Sequence, residues 1–365
     1  MLQINEFAEE IQEYLKLNNP DITEITYKSV NKNNGIILHG IIAMTASSNI
    51  TPIIYIDDLY NKYLAENHTI KSACKELDAL YKSVKTPQIN FDMDWFFDFE
   101  KAKENLNIKL INLKDNRSLL NDVPYFEYGD LAGIYQIQVN GFGLDDSMGS
   151  ITVTKSHVAA WDISNEYLHE SAMQNIGNNE YSIKSMREVI AESFGAMLPL
   201  SESDVVQGEI PMYVLTNKEK INGASGIICT DLLQSFSERI GSNLIVLPSS
   251  IHEVLLVPAQ NENAEMLDFV KMVTNINTYE VDFEERLSNN AYFYNKDKHE
   301  LQQGIKKTPM YIKLHDEQNE RSSILGKLKT NQDNLKGQGL RSRNKERSSE
   351  VPEKDHHQPI HDKAR

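Results

Sequence analysis

His252 and Glu253 follow Ser249 and Ser250 with only Ile251 between the two pairs. An imidazole near a hydroxyl is the raw material of nucleophilic catalysis: the ring takes the hydroxyl proton while a third group orients the ring. A serine used that way is normally held at a sharp strand-to-helix elbow. Here both serines follow Pro248 between two β-rich runs, so the competing reading is a hairpin whose hydroxyls satisfy turn amides. His252-Glu253 also opens an H-E-x-x-H pattern, but position 256 is Leu where a zinc site needs its second His. Cys229 sits just before a helix start, where a thiol pKa can fall, and a distant His could then use it as a nucleophile. Against that, a Cys after Ile227-Ile228 reads as a small core hydrophobe, and Cys74 lies on a helical core stripe. Asp92, Asp94, Asp98 and Glu100 alternate with Trp95, Phe96, Phe97 and Phe99. On one helix, Asp94 and Asp98 would share a face and could hold a divalent cation or act as an acid/base pair. The alternative is a helix cap, with the aromatics turned to the core.

Other signals bring no cofactor. Gly141 and Gly143 form only G-x-G, followed by a strand-like segment where a dinucleotide fingerprint needs a helix, and no Walker loop occurs. Asp57-Asp58 and Asp145-Asp146 read as turn or cap residues. His356, His357 and His361 are near enough in sequence to bind a stray transition metal weakly, which makes them incidental. No cofactor and no resident metal are expected.

The elements that must position these residues belong to a chain of 365 residues with 37 basic and 53 acidic side chains, a formal net charge of -16. That balance excludes a whole-chain basic footprint for duplex nucleic acid. No apolar run approaches the roughly 20 residues of a membrane helix, and the N-terminus lacks the pattern of a secretory signal. Two cysteines cannot build a disulfide framework. A reduced, cytoplasmic protein with no membrane contact is expected. Charge is uneven: residues 321–365 hold eleven Lys or Arg and six Asp or Glu, a net of +5, which leaves -21 for residues 1–320. Beyond Leu340 the only large aliphatics are Val351 and Ile360, too few to offset the ordering entropy, so a flexible basic tail over 299–365 is expected. Within it, Ile324, Leu325, Leu328 and Leu335 mark a short helix near 322–335 that could fold into a partner's groove.

The body reads as α+β. Ile4, Phe7, Ala8, Ile11, Tyr14 and Leu15 predict a helix stopped at Asn18-Asn19-Pro20. Ile22 to Val30 and Ile36 to Met44 predict a hairpin about Asn31 to Gly35. Ile70 to Val84 carries a helical stripe, and Met93 to Asn105 also reads as helical. Ile108 to Leu113 is a strand, and Leu131 to Val139 pairs with Ser150 to Lys155. Helices follow at Ser164 to Asn175 and Ser185 to Met197. The polar stretch Pro199 to Pro211 predicts a boundary between lobes at 1–200 and 210–298. In the second lobe, Met212 to Thr216, Ala224 to Thr230, Asn243 to Leu247 and Glu253 to Val257 read as strands. A helix begins at Asp231 and ends at Gly241, another carries Met266 to Val273, and Tyr292 to Tyr294 is a closing edge strand. Without a βαβ period, mixed or antiparallel sheets with packed helices are expected.

Several segments taken together resemble a Gram-positive bacterial family of unknown function, DUF5688, over about residues 1–295. They are Tyr27 to Gly35 with Pro52 to Ile56, Asp94 to Glu100, Lys109 to Asn112, Asp122 to Pro124, Pro211 to Lys218, Gly223-Ala224 and Leu247 to Val254. The family is familiar beside genes of mobile or conjugative elements. The resemblance implies one intact body and brings no catalytic residue, substrate or cofactor. The expectation is a non-enzymatic accessory or interaction protein with a protein partner. The alternatives are a hydrolase or thiol enzyme built on His252 with Ser249, Ser250 or Cys229, or nucleic-acid binding through the tail alone.

Overall fold

The computed structural model describes residues 1–46, 51–65, 68–84, 93–142, 147–194, 210–259, 266–304 and 308–315. The expected tail helix near 322–335, the tail histidines, Asp92, Gly143, Asp145 and Asp146 lie outside them.

The chain begins with helix α1 (Ile4–Asn18), in which Phe7, Ala8, Ile11 and Leu15 make a stripe with no solvent exposure. Glu6 closes the helix start by accepting the Gln3 backbone N–H at 2.8 Å. Strands β1 (Ile22–Asn31) and β2 (Ile37–Thr45) form the expected hairpin, and β3 (Ile53–Tyr55) adds to β2. Between β1 and β2, Asn34 and Gly35 take φ of 60° and 74°, the left-handed turn that Asn-Gly favours. Helices α2 (Asp57–Leu64) and α3 (Ile70–Val84) complete a first core with Ile41, Ile54, Ile56, Leu59 and Leu77. Cys74 belongs to that core, as its place on the α3 stripe predicts.

A second sheet contains β4 (Leu106–Asn112), β5 (Tyr125–Tyr128), β6 (Leu131–Phe142) and β7 (Ser147–Thr152); the short helices α4 (Phe99–Ala102) and α5 (Arg117–Leu120) precede β4 and β5. Strands β6 and β7 pair antiparallel, which makes Gly141 part of a hairpin. Helices α6 (Lys155–Trp161) and α7 (Asn165–Asn178) lead to the third sheet. It is built from β8 (Tyr181–Ser185), β9 (Tyr213–Asn217), β10 (Asn243–Leu247), β11 (Val254–Ala259), β12 (Tyr292–Asn295), β13 (Glu300–Gln303) and β14 (Thr308–Pro309). Its order is β14-β13-β12-β10-β11-β9-β8, and every pairing is antiparallel. A final strand, β15 (Ile312–Leu314), crosses to pair with β5 at the edge of the second sheet. The fold class is α+β.

Packing explains this arrangement. Helices α7 and α9 (Thr230–Ile240) supply Leu168, Ala172, Ile176, Leu233 and Phe236 to one core shared by the second and third sheets. Strand β10 is buried on both faces: Leu244 and Val246 enter that core, while Ile245 and Leu247 meet α10 (Met266–Tyr279) on the other side. Gly241 ends α9 at φ 69°, as predicted.

Several expectations are corrected. Residues 93–105 are broken 3-10 and α turns, with only α4 in α geometry. The segment from Ser185 starts as the end of β8, and α8 (Met186–Phe194) follows it. Gly223–Ile228 is a 3-10 helix in place of the strand, with Gly223 packed on the Asn217 and His252 backbone and Gly226 on the Tyr181 ring. β12 is interior, since β13 covers its outer side. Strands reach Leu314, past the expected tail boundary at 298, and Leu301 and Met310 are buried. Met1–His315 form one compact unit, and β8 and β9, on either side of Pro199 to Pro211, are hydrogen-bonded neighbours.

Candidate functional site

A polar junction is built where β9 ends. Asn217 clamps the following loop with its side chain, donating to the Ile221 carbonyl at 2.8 Å and accepting from the Ile221 N–H at 3.1 Å. This holds Lys220 and Asn222 at φ of 55° each. Asn222 is then placed to donate its backbone N–H to His252 Nδ1 at 3.2 Å and its side-chain amide to Gln136 Oε1 at 2.9 Å. Gln136, on β6, donates on to Thr152 Oγ1 at 3.3 Å. On the other side of the imidazole, Nε2 lies 3.6 Å from Glu285 Oε1, an ion-pair distance longer than a good hydrogen bond. The His252 backbone is fixed as well: its carbonyl accepts Thr216 Oγ1–H at 2.8 Å, and its N–H donates to Ser250 Oγ at 3.1 Å.

This geometry decides what His252 can do. Because Nδ1 accepts from Asn222, the neutral ring carries its proton on Nε2, facing Glu285. A triad histidine needs the reverse, with Nδ1–H held by an acid and a bare Nε2 turned to the nucleophile. Protonation of Nδ1 would also bring two N–H groups head to head. Burial lowers the His252 pKa; Glu285 opposes that effect and Lys109 adds to it. Ser249 and Ser250 are both buried; neither hydroxyl bonds to the ring, and Ser250 Oγ satisfies a turn amide as the hairpin reading expects. Glu253 is exposed at the start of β11.

Cys229 is not brought to His252. It stands at the start of α9 with Sγ 3.8 Å from the Ile176 carbonyl, beside a cleft of about 350 Å³. Burial, reinforced by Asp231, pushes its thiol up to about 11, the opposite of the helix-start effect. Alkylation by iodoacetamide at pH 8 is therefore expected to run roughly a hundred-fold slower than for an unperturbed cysteine, because the thiolate fraction is that much smaller. The rate should climb tenfold per pH unit to near pH 11. Peptide mapping that finds Cys229 modified as fast as free cysteine would contradict this placement.

The acidic pair is also separated. Asp94 starts a 3-10 turn, whereas Asp98 is extended (φ -103°, ψ 106°) and caps α4, accepting the Glu100 N–H at 3.1 Å. The two carboxylates thus share no helix face, and the backbone break at Asp98 is the reason. Among the described residues no group of three or more His, Cys, Asp or Glu could hold a metal ion. Phe96 and Phe99 are buried against Trp161 as expected, but Phe97 is 72% exposed.

No catalytic or ligand motif marks Lys109, Gln136, Asn222 or Glu285 in the sequence. Only Asn222 had a local signal, as Asn-Gly marks a left-handed residue. Lys109 is a partly buried amine on β4 with no hydrogen bond or ion pair among the described residues; desolvation, with help from Lys32, holds it below the ordinary lysine value while Glu284 opposes.

The family of unknown function DUF5688 matches residues 4–296. The chain belongs to DUF5688. No curated protein and no solved structure matches it. The DUF5688 match ends one residue after β12, so β13, β14 and β15 lie beyond the matched region. Segments that carry the DUF5688 resemblance converge on the His252 junction from distant parts of the sequence. Asn33 and Asn34 donate to the carbonyls of Glu284, Phe283 and Arg286 at 2.7–2.8 Å. Asn112 donates to the Leu287 carbonyl at 3.1 Å, Thr216 donates to the His252 carbonyl, and Gly223 directly follows Asn222, which holds the imidazole.

Proposed function

We propose that this DUF5688 protein is a non-enzymatic accessory or interaction protein that acts by binding another protein, in the mobile-element setting the family resemblance implies. The observation that carries the reading is the polarity of His252: its acceptor nitrogen is taken by the Asn222 N–H at 3.2 Å, so the histidine beside Ser249 and Ser250 is committed to holding the loop. Cys229, Ser250 and Asp98 support the same reading, since each has a structural partner in place of a reacting neighbour. Convergence of the resemblance segments on one junction fits a body whose loops must keep a fixed relative placement to present a surface.

A broad panel of ester, peptide and phosphoester substrates tests this against the hydrolase alternative. The expected result is equal background turnover for the parent and His252→Ala. Turnover in the parent that drops at least a hundred-fold in the variant would reverse the conclusion in favour of catalysis.

A further inference from the structure

On the outer strands of the third sheet, Ser182 lies opposite Thr216 and Lys184 opposite Val214, so all four share one face. Val189 and Glu192 of α8 rise beside that face, and Lys220 and Glu253 close it, leaving a groove of about 310 Å³. Its charges fall into two kinds. Lys184 pairs with Glu192 at 2.5 Å and Lys218 with Glu180 at 3.0 Å. Lys220 and Glu253 make no ion pair or side-chain hydrogen bond among the described residues, and the Ser182 hydroxyl has no partner there either.

Among the described residues no ion pair joins these two charges, and each sits on a fixed piece of backbone. Lys220 is held in its left-handed turn by the Asn217 clamp, and Glu253 is the residue after His252, whose carbonyl and ring are both engaged. One unpaired ammonium, one unpaired carboxylate and one free hydroxyl therefore converge on a concave surface of zero net formal charge. A simple anion would meet Lys220 but be repelled by Glu253, and a simple cation would meet the reverse. A molecule with both charges satisfies both groups. We propose that this groove binds a small zwitterion of the amino-acid or dipeptide class, its carboxylate on Lys220, its ammonium on Glu253 and its polar backbone at Ser182. The volume suits that class, since it lies near the lower end of ligand pockets, about 300–1,000 Å³. The inference does not depend on the non-enzymatic reading, because binding here requires no chemistry at His252.

Thermal-shift and calorimetric titration of the full chain with the twenty common α-amino acids and a set of dipeptides tests it. At least one compound is expected to raise the melting temperature saturably, and the two sets distinguish a single residue from a dipeptide. For the best binder, N-acetylation or C-terminal amidation should each weaken binding about tenfold or more, as should Lys220→Met and Glu253→Gln, since each removes a charge-assisted contact. Both substitutions are at exposed positions, and an unchanged urea midpoint certifies folding. Lys271→Met, on α10 and paired with Asp268, should leave affinity unchanged. The proposal fails if no compound shifts the melting temperature, if the blocked compounds bind as well as the free zwitterion, or if Lys220→Met and Glu253→Gln both retain full affinity.

Discussion

Replacing Asp130 by Ala is expected to lower the stability of the body by about 3 kcal/mol or more, read from the urea midpoint at constant slope. The carboxylate follows the turn residue Gly129 between β5 and β6 and accepts four side-chain donors, two from the segment leading into β12 and two from β12 and β13. Ser288 Oγ–H and Asn290 Nδ2–H reach Oδ2 at 2.7 and 2.8 Å, while the Tyr292 hydroxyl and Gln303 Nε2–H reach Oδ1 at 2.7 and 3.0 Å. Tyr292 has no solvent exposure, and burial together with Asp130 holds its phenol protonated far above the ordinary tyrosine range. Truncation takes the carboxylate acceptor from that hydroxyl, leaving only Ser288 beside it, and cuts a link between the two sheets. Burying an unpaired hydroxyl costs about 1–3 kcal/mol, and each lost hydrogen bond to a charge adds to it. Asp130→Asn should cost about half as much, because its single carbonyl oxygen can still serve Tyr292 and Gln303 while its amide opposes that of Asn290. A midpoint for Asp130→Ala within about 1 kcal/mol of the parent would mean that water replaces the carboxylate without loss.

Where local pattern and tertiary packing agree, the sequence is a good guide. The stripe of α1, the Asn-Gly hairpin tip and the Gly241 stop each act within one turn of chain, and each is found as expected. Residues 223–228 depart from the expected strand because Ile227-Ile228-Cys229 has strand composition, whereas the local geometry is set by what Gly223 and Gly226 meet across the fold. Strands β13 and β15 carry no local signal for a similar reason: Glu300 to Gln303 and Ile312 to Leu314 are short runs with no period of their own, and they become strands by pairing with the open edges of β12 and β5. At the candidate site, His252 was singled out by its neighbours in sequence, yet its role is fixed by Asn222 and Glu285, thirty residues before and thirty-three after. Cys229 shows the same limit in energy. A helix start favours the thiolate, but desolvation by the surrounding core outweighs it, and only the packed structure reveals that balance.

The same dependence on remote contacts makes Gly223→Ala the sharpest single test of the junction. An ideal Cβ there would lie 2.4 Å from Thr216 Oγ1, 2.6 Å from the Asn217 backbone N and 2.6 Å from the His252 carbonyl oxygen. A flexible side chain could swing away, but two of these three are backbone atoms, one at the end of β9 and the other just ahead of β11. Making room means parting segments that Thr216 Oγ1 and the β9–β11 ladder hold together. Overpacking of a well-filled site costs about 1–3 kcal/mol, and contact with backbone places this one at the upper end or beyond. Gly177, in α7, is the control: nothing lies within 4 Å of its Cβ position, so Gly177→Ala should stabilise by about 0.5 kcal/mol through helix propensity and a less flexible unfolded chain. Two alanines of identical chemistry should thus move the urea midpoint in opposite directions. The first should also disturb His252, because displacing its carbonyl pulls Nδ1 away from the Asn222 N–H and opens the ring to water. Its pKa, held down in the parent chiefly by burial, should then rise toward the ordinary histidine value, which an NMR titration of the imidazole reads directly. A Gly223→Ala protein with parental stability and an unchanged His252 titration would show that the loop and the histidine are not packed against each other in solution.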